Sequence, residues 1–192
     1  EKREGLSTGA VRRFFRSRLS LAHLLLAADK KLTLSTYAYS GASAKIVTGV
    51  SGVVSGEGGL YVRSGQNNQA EINALLQSAN TFTGGTEVAS SYLWGVVDGS
   101  IPSPLLASGS GKVNLVTGTA DGWTFDHIHA LLQKTKETDS GQVRIWTGSG
   151  VSSTDTADID FASSSTYRHA GPGTLTCSGA LSGAGTLANH EG

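Results

Sequence analysis

Gln142-Val143-Arg144-Ile145-Trp146-Thr147, followed by Gly148, sets polar and apolar side chains in strict alternation and stops on a turn residue. A two-residue period puts Val143 and Ile145 on one face and Gln142, Arg144 and Trp146 on the other, which is the pattern of a half-buried β-strand. The same pattern recurs outward from this stretch: Lys112–Thr117, Thr174–Cys177, Gly59–Arg63, Lys45–Val50 and Leu32–Tyr39. These runs are short and end in or near Gly or Ser, so they read as strands joined by turns. Pro102, Pro104 and Pro172 stand in loop-like surroundings and break none of them.

Composition agrees. Of 192 residues, 26 are Gly and 44 more are Ser or Thr, while 38% are hydrophobic and 16% charged. Such a chain is too poor in large apolar side chains for a compact α/β enzyme core and too poor in charge for a disordered tail. Fifteen Lys and Arg balance fifteen Asp and Glu, which argues against a dedicated nucleic-acid binder. The balance hides a split, because residues 1–31 carry eight basic residues against three acids and residues 32–192 carry seven against twelve.

The spacing predicts an amphipathic helix over residues 8–29, with Val11, Phe14, Phe15, Leu19, Ala22, Leu25 and Leu26 on one face and Arg12, Arg13, Arg16 and Arg18 solvating the other. Ser7 or Thr8 would cap it. Its Phe14, Phe15, Leu19 and Leu25 face is expected to be buried, within the chain or against another. The apolar run falls short of the roughly 18–20 residues that span a bilayer, so no transmembrane span is expected. The reading divides the chain into this helical element, 1–31, acting as cap or interface, and a β-rich repeat domain, 32–192.

An internal repeat of about 56 residues supports the second part. Ile72-Asn-Ala-Leu-Leu-Gln77 returns as Ile128-His-Ala-Leu-Leu-Gln133, each copy flanked by strand-like segments. The unit fits two coils of about 20–30 residues stacked on one another. Whether Ala74–Gln77 and Ala130–Gln133 are strand or helix stays open at this level, since Phe125, Ile128 and Leu131 also fit helical spacing.

Ala79-Asn-Thr-Phe-Thr-Gly-Gly-Thr86, followed by Glu87-Val88, resembles the passenger-associated repeat of bacterial autotransporters, and Gly179-Ala-Leu-Ser-Gly-Ala-Gly-Thr-Leu187 is similar to the linker strand that precedes such repeats. Asn80, Gly84 and Gly85 suit a tight turn with positive φ, and Thr81, Thr83 and Thr86 suit extended backbone. The resemblance implies an all-β fold, a right-handed parallel β-helix or β-solenoid, exported to the cell surface as a stalk, adhesin or scaffold. The Lys136–Gly141 segment lacks the Asn and one Gly of the pattern, and the N-terminal segment lies outside it.

Chemistry is sparse. Asp126-His127-Ile128-His129 would align two imidazoles on a strand and splay them on a helix, and two ligands do not make a metal site. Asp155, Asp158 and Asp160 are spaced loosely enough for a calcium site in a loop but lack the glycine-rich or twelve-residue loop such a site uses, and Asp158-Ile159-Asp160-Phe161 reads simply as a strand with one wet face. Cys177 stands alone, so neither an intrachain disulfide nor a thiolate cluster can form, and it reads as a small apolar residue of a strand. Trp94, Trp123 and Trp146 are core or interface residues, or sugar-stacking platforms if exposed. No nucleophile elbow, phosphate loop or zinc-protease motif is present. The expectation is a non-enzymatic structural or adhesive protein with no catalytic, cofactor or metal residues and no cofactor. It would self-associate as a homo-oligomer, filament or layer, with a surface glycan as a further partner, at the bacterial cell surface or outside the cell. A virion or tail-fibre spike is the second reading, favoured by a helix ahead of β-repeats, and a carbohydrate-active β-helix the third.

Overall fold

The computed structural model describes residues 16–19, 23–36, 46–64, 72–102, 104–161 and 166–190. Within them the chain makes repeated passes of short strands. The first three passes are β1 (Arg16–Leu19), β2 (His23–Leu26), β3 (Lys31–Thr36); β4 (Ile46–Val50), β5 (Val53–Gly56), β6 (Gly59–Ser64); and β7 (Ile72–Leu76), β8 (Thr81–Phe82), β9 (Thr86–Ala89). Two more are β10 (Tyr92–Gly95), β11 (Leu105–Ser108) and β12 (Lys112–Thr117), α1 (Phe125–Leu132), β13 (Thr135–Glu137). The last are β14 (Gln142–Thr147), β15 (Ser152–Asp155), β16 (Ile159–Phe161); β17 (Thr166–Ala170), β18 (Thr174–Cys177), β19 (Leu181–Gly183); and β20 (Thr186–His190).

The first strand of every pass joins one eight-stranded sheet in the order β1-β4-β7-β10-β12-β14-β17-β20. A second sheet runs β2-β5-β8 and a third β3-β6-β9-β11-β13, with β15-β18 and β16-β19 as separate pairs. All of these pairings are parallel. Successive strands of the eight-stranded sheet begin 20 to 30 residues apart, the spacing expected of one coil. The fold is therefore all-β in character, built from parallel sheets, with one short helix among the described residues.

Parallel registry stacks like on like. Ala74, Leu93, Val113 and Val143 form one buried column, and Val50, Leu76, Gly95, Leu115 and Ile145 another. In the third sheet Leu34, Val62, Val88 and Ala107 do the same. Each large aliphatic side chain so buried contributes about 1.5–3 kcal/mol. Gly95 interrupts its column for a reason: a Cβ there would lie 2.9 Å from Ile101 Cδ1 and from Trp123 Nε1, both of which fill the space.

The Asn80–Thr86 stretch acts through a side chain as much as through its turn. Asn80 is buried; its Oδ1 accepts the Val54 N–H at 2.7 Å and its Nδ2 donates to the Ser100 carbonyl at 2.7 Å, tying the second, third and fourth passes together. Asn80 is not among the residues with positive φ, whereas Gly85, at +78°, is. Gly84 is required by closeness, since a Cβ would sit 2.6 Å from the Gly58 carbonyl carbon.

One expectation is corrected, and one question left open by the sequence is answered. Arg16–Leu19 and His23–Leu26 are strands paired with β4 and β5, not part of a helix over 8–29; residues 1–15 and 20–22, with Phe14 and Phe15, lie outside the described residues. Leu24 and Leu26 face inward while Leu25 is exposed, so pairing along β5 overrides a helical spacing that few residues support. The hexapeptide repeat also takes two conformations: 72–76 is strand β7, whereas 128–132 lies in α1. In β7, Ala74 and Leu76 are buried at alternate positions between flanking strands. In α1, Ile128 and Leu131 are buried three apart, after Thr124 at the N-cap position and Asp126 in the first turn.

Replacing Asn80 by Ala would strand a buried donor and a buried acceptor, at about 1–3 kcal/mol for each group left unpaired. Denaturant unfolding should show a loss of that order for Asn80→Ala and almost none for Thr81→Ala, whose side chain is exposed; equal effects would contradict the bridging role.

Candidate functional site

Helix α1 carries both histidines of the Asp126–His129 stretch, and it sends them apart. His127 Nδ1 lies 2.8 Å from Asp98 Oδ2, which also accepts the Thr124 hydroxyl at 3.1 Å. His129 Nε2 lies 2.8 Å from Asp155 Oδ2 on the opposite side. The two imidazoles do not converge, and among the described residues no three His, Cys, Asp or Glu side chains are grouped as a metal site.

Asp155 is the more unusual carboxylate, at 0% exposure. Its Oδ2 also accepts the Tyr167 hydroxyl at 2.5 Å, and its Oδ1 accepts the Ala157 N–H at 3.1 Å, so a buried acid is fully engaged. Cys177 sits beside it in register on β18. Burial, with the Asp155 bond and charge, pushes the Tyr167 hydroxyl well above the usual phenol range, and burial and Asp155 together push the Cys177 thiol up. That favours a neutral, unreactive thiol rather than a nucleophile.

Asp158 and Asp160 are exposed and point elsewhere: Asp158 Oδ1 accepts the Ala180 N–H at 2.7 Å and Asp160 Oδ1 the Ser182 hydroxyl at 3.1 Å. The three aspartates share no partner. Asp158 and Asp160, exposed on either side of the partly buried Ile159, match the strand with one wet face, and Asp155 is buried apart from them.

These bonds occupy a break in the backbone ladders. Among the described residues no ladder joins β8 to β15 or β13 to β16. There His129 links α1 to β15, and Glu137 of β13 accepts the Val143 N–H at 2.7 Å and Arg168 Nη1 at 2.6 and 2.7 Å. The Asp155 and Glu137 clusters are thus cross-links between passes.

The outer face of the eight-stranded sheet has a different character. Trp94, Asn114 and Arg144 lie side by side in register, and Arg168 follows on β17, one place before the Ile145–His169 pair. Tyr92, Lys112 and Gln142 form the neighbouring row. Strands β10 and β14 are separated by β12, roughly 9–10 Å at two strand spacings, yet the Trp94 and Trp146 rings meet edge to face with centroids 4.8 Å apart. The indoles therefore lean together above β12. Trp94 Nε1–H donates to Asn73 Oδ1 at 2.6 Å, and Lys112 Nζ lies 5.0 Å above the Tyr92 ring.

Beside them Asn114 is 1% exposed, and neither its amide oxygen nor its nitrogen has a hydrogen-bond partner. An unpaired buried amide of this kind costs about 1–3 kcal/mol for each group. Like charges on adjacent strands also oppose folding. Arg144 is pushed below its usual range by burial and by the Arg168 guanidinium, and His190 by burial and by Arg144, Arg168 and Lys112. Glu137 offsets Arg168 alone. Three of the seven basic residues after position 31 and two of the three tryptophans thus share one face. Trp123 is instead in the core, its Nε1 buried.

No protein-family model, curated protein or solved structure matches the chain.

Tyr167 gives a pH test. Its hydroxyl ionises near pH 10 in the unfolded chain and higher when folded, so its contribution is complete below pH 10 and is lost as pH rises beyond it, at about 1.4 kcal/mol per pH unit. Denaturant unfolding should therefore show the wild type losing stability relative to Tyr167→Phe above pH 10; parallel curves would contradict the buried, carboxylate-bonded phenol. Alkylation of folded Cys177 at pH 8 should be slower than that of the unfolded chain, and Asp155→Asn should speed it.

Proposed function

We propose that this chain is a non-enzymatic structural or adhesive module, a right-handed parallel β-helix that forms part of a bacterial surface or extracellular assembly. The observation that carries the reading is the eight-stranded parallel ladder, advancing one strand per pass. Parallel strands separated by crossover connections are joined right-handedly in nearly all known cases. Stacked passes of 20–30 residues are the geometry of a solenoid. The resemblance at Asn80–Thr86 to surface-exported repeats supports the location.

The last described strands of three sheets support self-association. Strands β18, β19 and β20 contain no Pro, Lys, Arg, Asp or Glu, the residues that ordinarily discourage an edge from adding a further strand. Leu181 and Leu187 are 45% and 55% exposed there. A further pass, of this chain or of a second copy, would continue the ladder and cover both leucines, and we propose the second copy. The side-chain clusters around Asp155 and Glu137 support a non-enzymatic reading, because their polar atoms are spent on holding passes together. The virion reading rested on a docking helix, and residues 16–19 and 23–26 of that helix are strands.

Light scattering on the native sample, with negative-stain imaging, tests this. A regular oligomer or filament that Leu181→Lys with Leu187→Lys converts to monomers is the expected result. A particle mass that the paired substitution leaves unchanged would overturn association through this edge.

A further inference from the structure

We propose that the outer face of the eight-stranded sheet, centred on Trp94, Asn114, Arg144 and Trp146, binds an anionic polysaccharide built from uronic acid units. The inference goes beyond the scaffold role and needs only this sheet, so it stands or falls separately from self-association.

Three features converge on that chemistry. Trp94 and Trp146 are partly buried indoles drawn together across β12, and flat aromatic surfaces outside a core are what the apolar faces of sugar rings stack on. Arg144 and Lys112 add positive charge within one strand of the indoles, and Arg168 follows Arg144 on the next strand. Arg168 already holds a carboxylate, that of Glu137, through two short bonds from Nη1, whereas the Arg144 guanidinium is hydrogen-bonded, among the described residues, only to the neutral Gln142 side chain. A planar guanidinium facing no carboxylate among the described residues suits a ligand carboxylate. Burial is the main cause that lowers Arg144 and His190, and the neighbouring cations, Arg168 for Arg144 and Arg144, Arg168 and Lys112 for His190, add to it, a part that a bound anion would relieve.

Asn114 supplies the third feature. Its amide is buried beside Trp94 and in register with Arg144, with donor and acceptor both unpaired. Parting the two indoles exposes it to a ring's adjacent hydroxyls, which offer the acceptor and donor it lacks. A polyphosphate chain satisfies the charges but neither stacks a saturated ring on the indoles nor offers that pair of hydroxyls. The strand spacing repeats along the face, so an extended chain lying across β10, β12 and β14 would meet Trp94, Asn114 and Arg144 in succession.

The test is titration of the full chain with an oligogalacturonate, followed by tryptophan fluorescence and calorimetry, beside a neutral galactose oligomer and an oligothymidylate of similar charge. Saturable binding of the oligogalacturonate alone is expected, weakening with salt. Trp94→Ala and Trp146→Ala should each weaken it about tenfold or more, and Arg144→Gln should weaken it and flatten its salt dependence. Asn114→Leu separates binding from folding: removal of the unpaired amide should leave the melting temperature equal or higher while affinity falls. Absence of saturable binding, equal binding of the oligothymidylate, or unchanged affinity in Asn114→Leu and the tryptophan variants would each overturn the proposal.

Discussion

In-register parallel pairing is the constraint on which everything else in this molecule rests. Each pass takes its backbone hydrogen bonds from the pass before and offers the same to the next, so every side chain lies against its counterpart one pass away. Apolar positions then form columns, such as Ala74, Leu93, Val113 and Val143, whose members must agree in size and polarity. A polar group inside such a stack has no water to turn to and must find its partner on a neighbouring pass. Asn80 does so with Val54 and Ser100, and Asp155 does so with His129 and Tyr167. The same rule makes Asn114 stand out, because its amide is buried and unanswered.

The columns change character along the chain. Up to Ile145 they are aliphatic, and beyond it Ser153, Asp155, Tyr167 and His169 occupy or line the interior. The change coincides with α1, which stands between β12 and β13 in the part of the pass where β2, β5 and β8 stand earlier. A helix rises 1.5 Å per residue and satisfies its own backbone, so it offers no ladder to the passes on either side. Side-chain bonds from His129 and Glu137 take over that duty.

Much of the architecture was legible because alternation is a local signal. Lys112–Thr117, Gln142–Thr147 and Thr174–Cys177 are strands within the limits read from sequence. The failures are equally physical. Ile72–Gln77 and Ile128–Gln133 share Ala-Leu-Leu-Gln, and six residues do not carry enough periodicity to choose between strand and helix; Thr124 and the flanking strands decide. Residues 16–19 and 23–26 depart from the helical expectation because the gain of pairing with β4 and β5 is invisible to a helical-wheel argument. The outer face was illegible for a related reason: Trp94, Asn114 and Arg144 come from three passes, 20 and 30 residues apart, and only the register brings them side by side. Asp155 could be suspected from its neighbours Asp158 and Asp160, but its partners lie 26 and 12 residues away in opposite directions along the chain.

The interruption beside α1 also sets how the molecule would carry tension. Where the fifth pass meets the sixth, the six-residue ladder between β12 and β14 is the only strand pairing among the described residues, while the other flanks are held by His129 on Asp155 and by Glu137, which accepts the Val143 N–H and reaches past it to Arg168 of the seventh pass. Drawn along its stacking direction, the structure is two ladders hinged on a single leaf. A load would open the side held by those discrete bonds before it sheared the leaf itself, so the two halves could swing apart and close again with the main sheet unbroken.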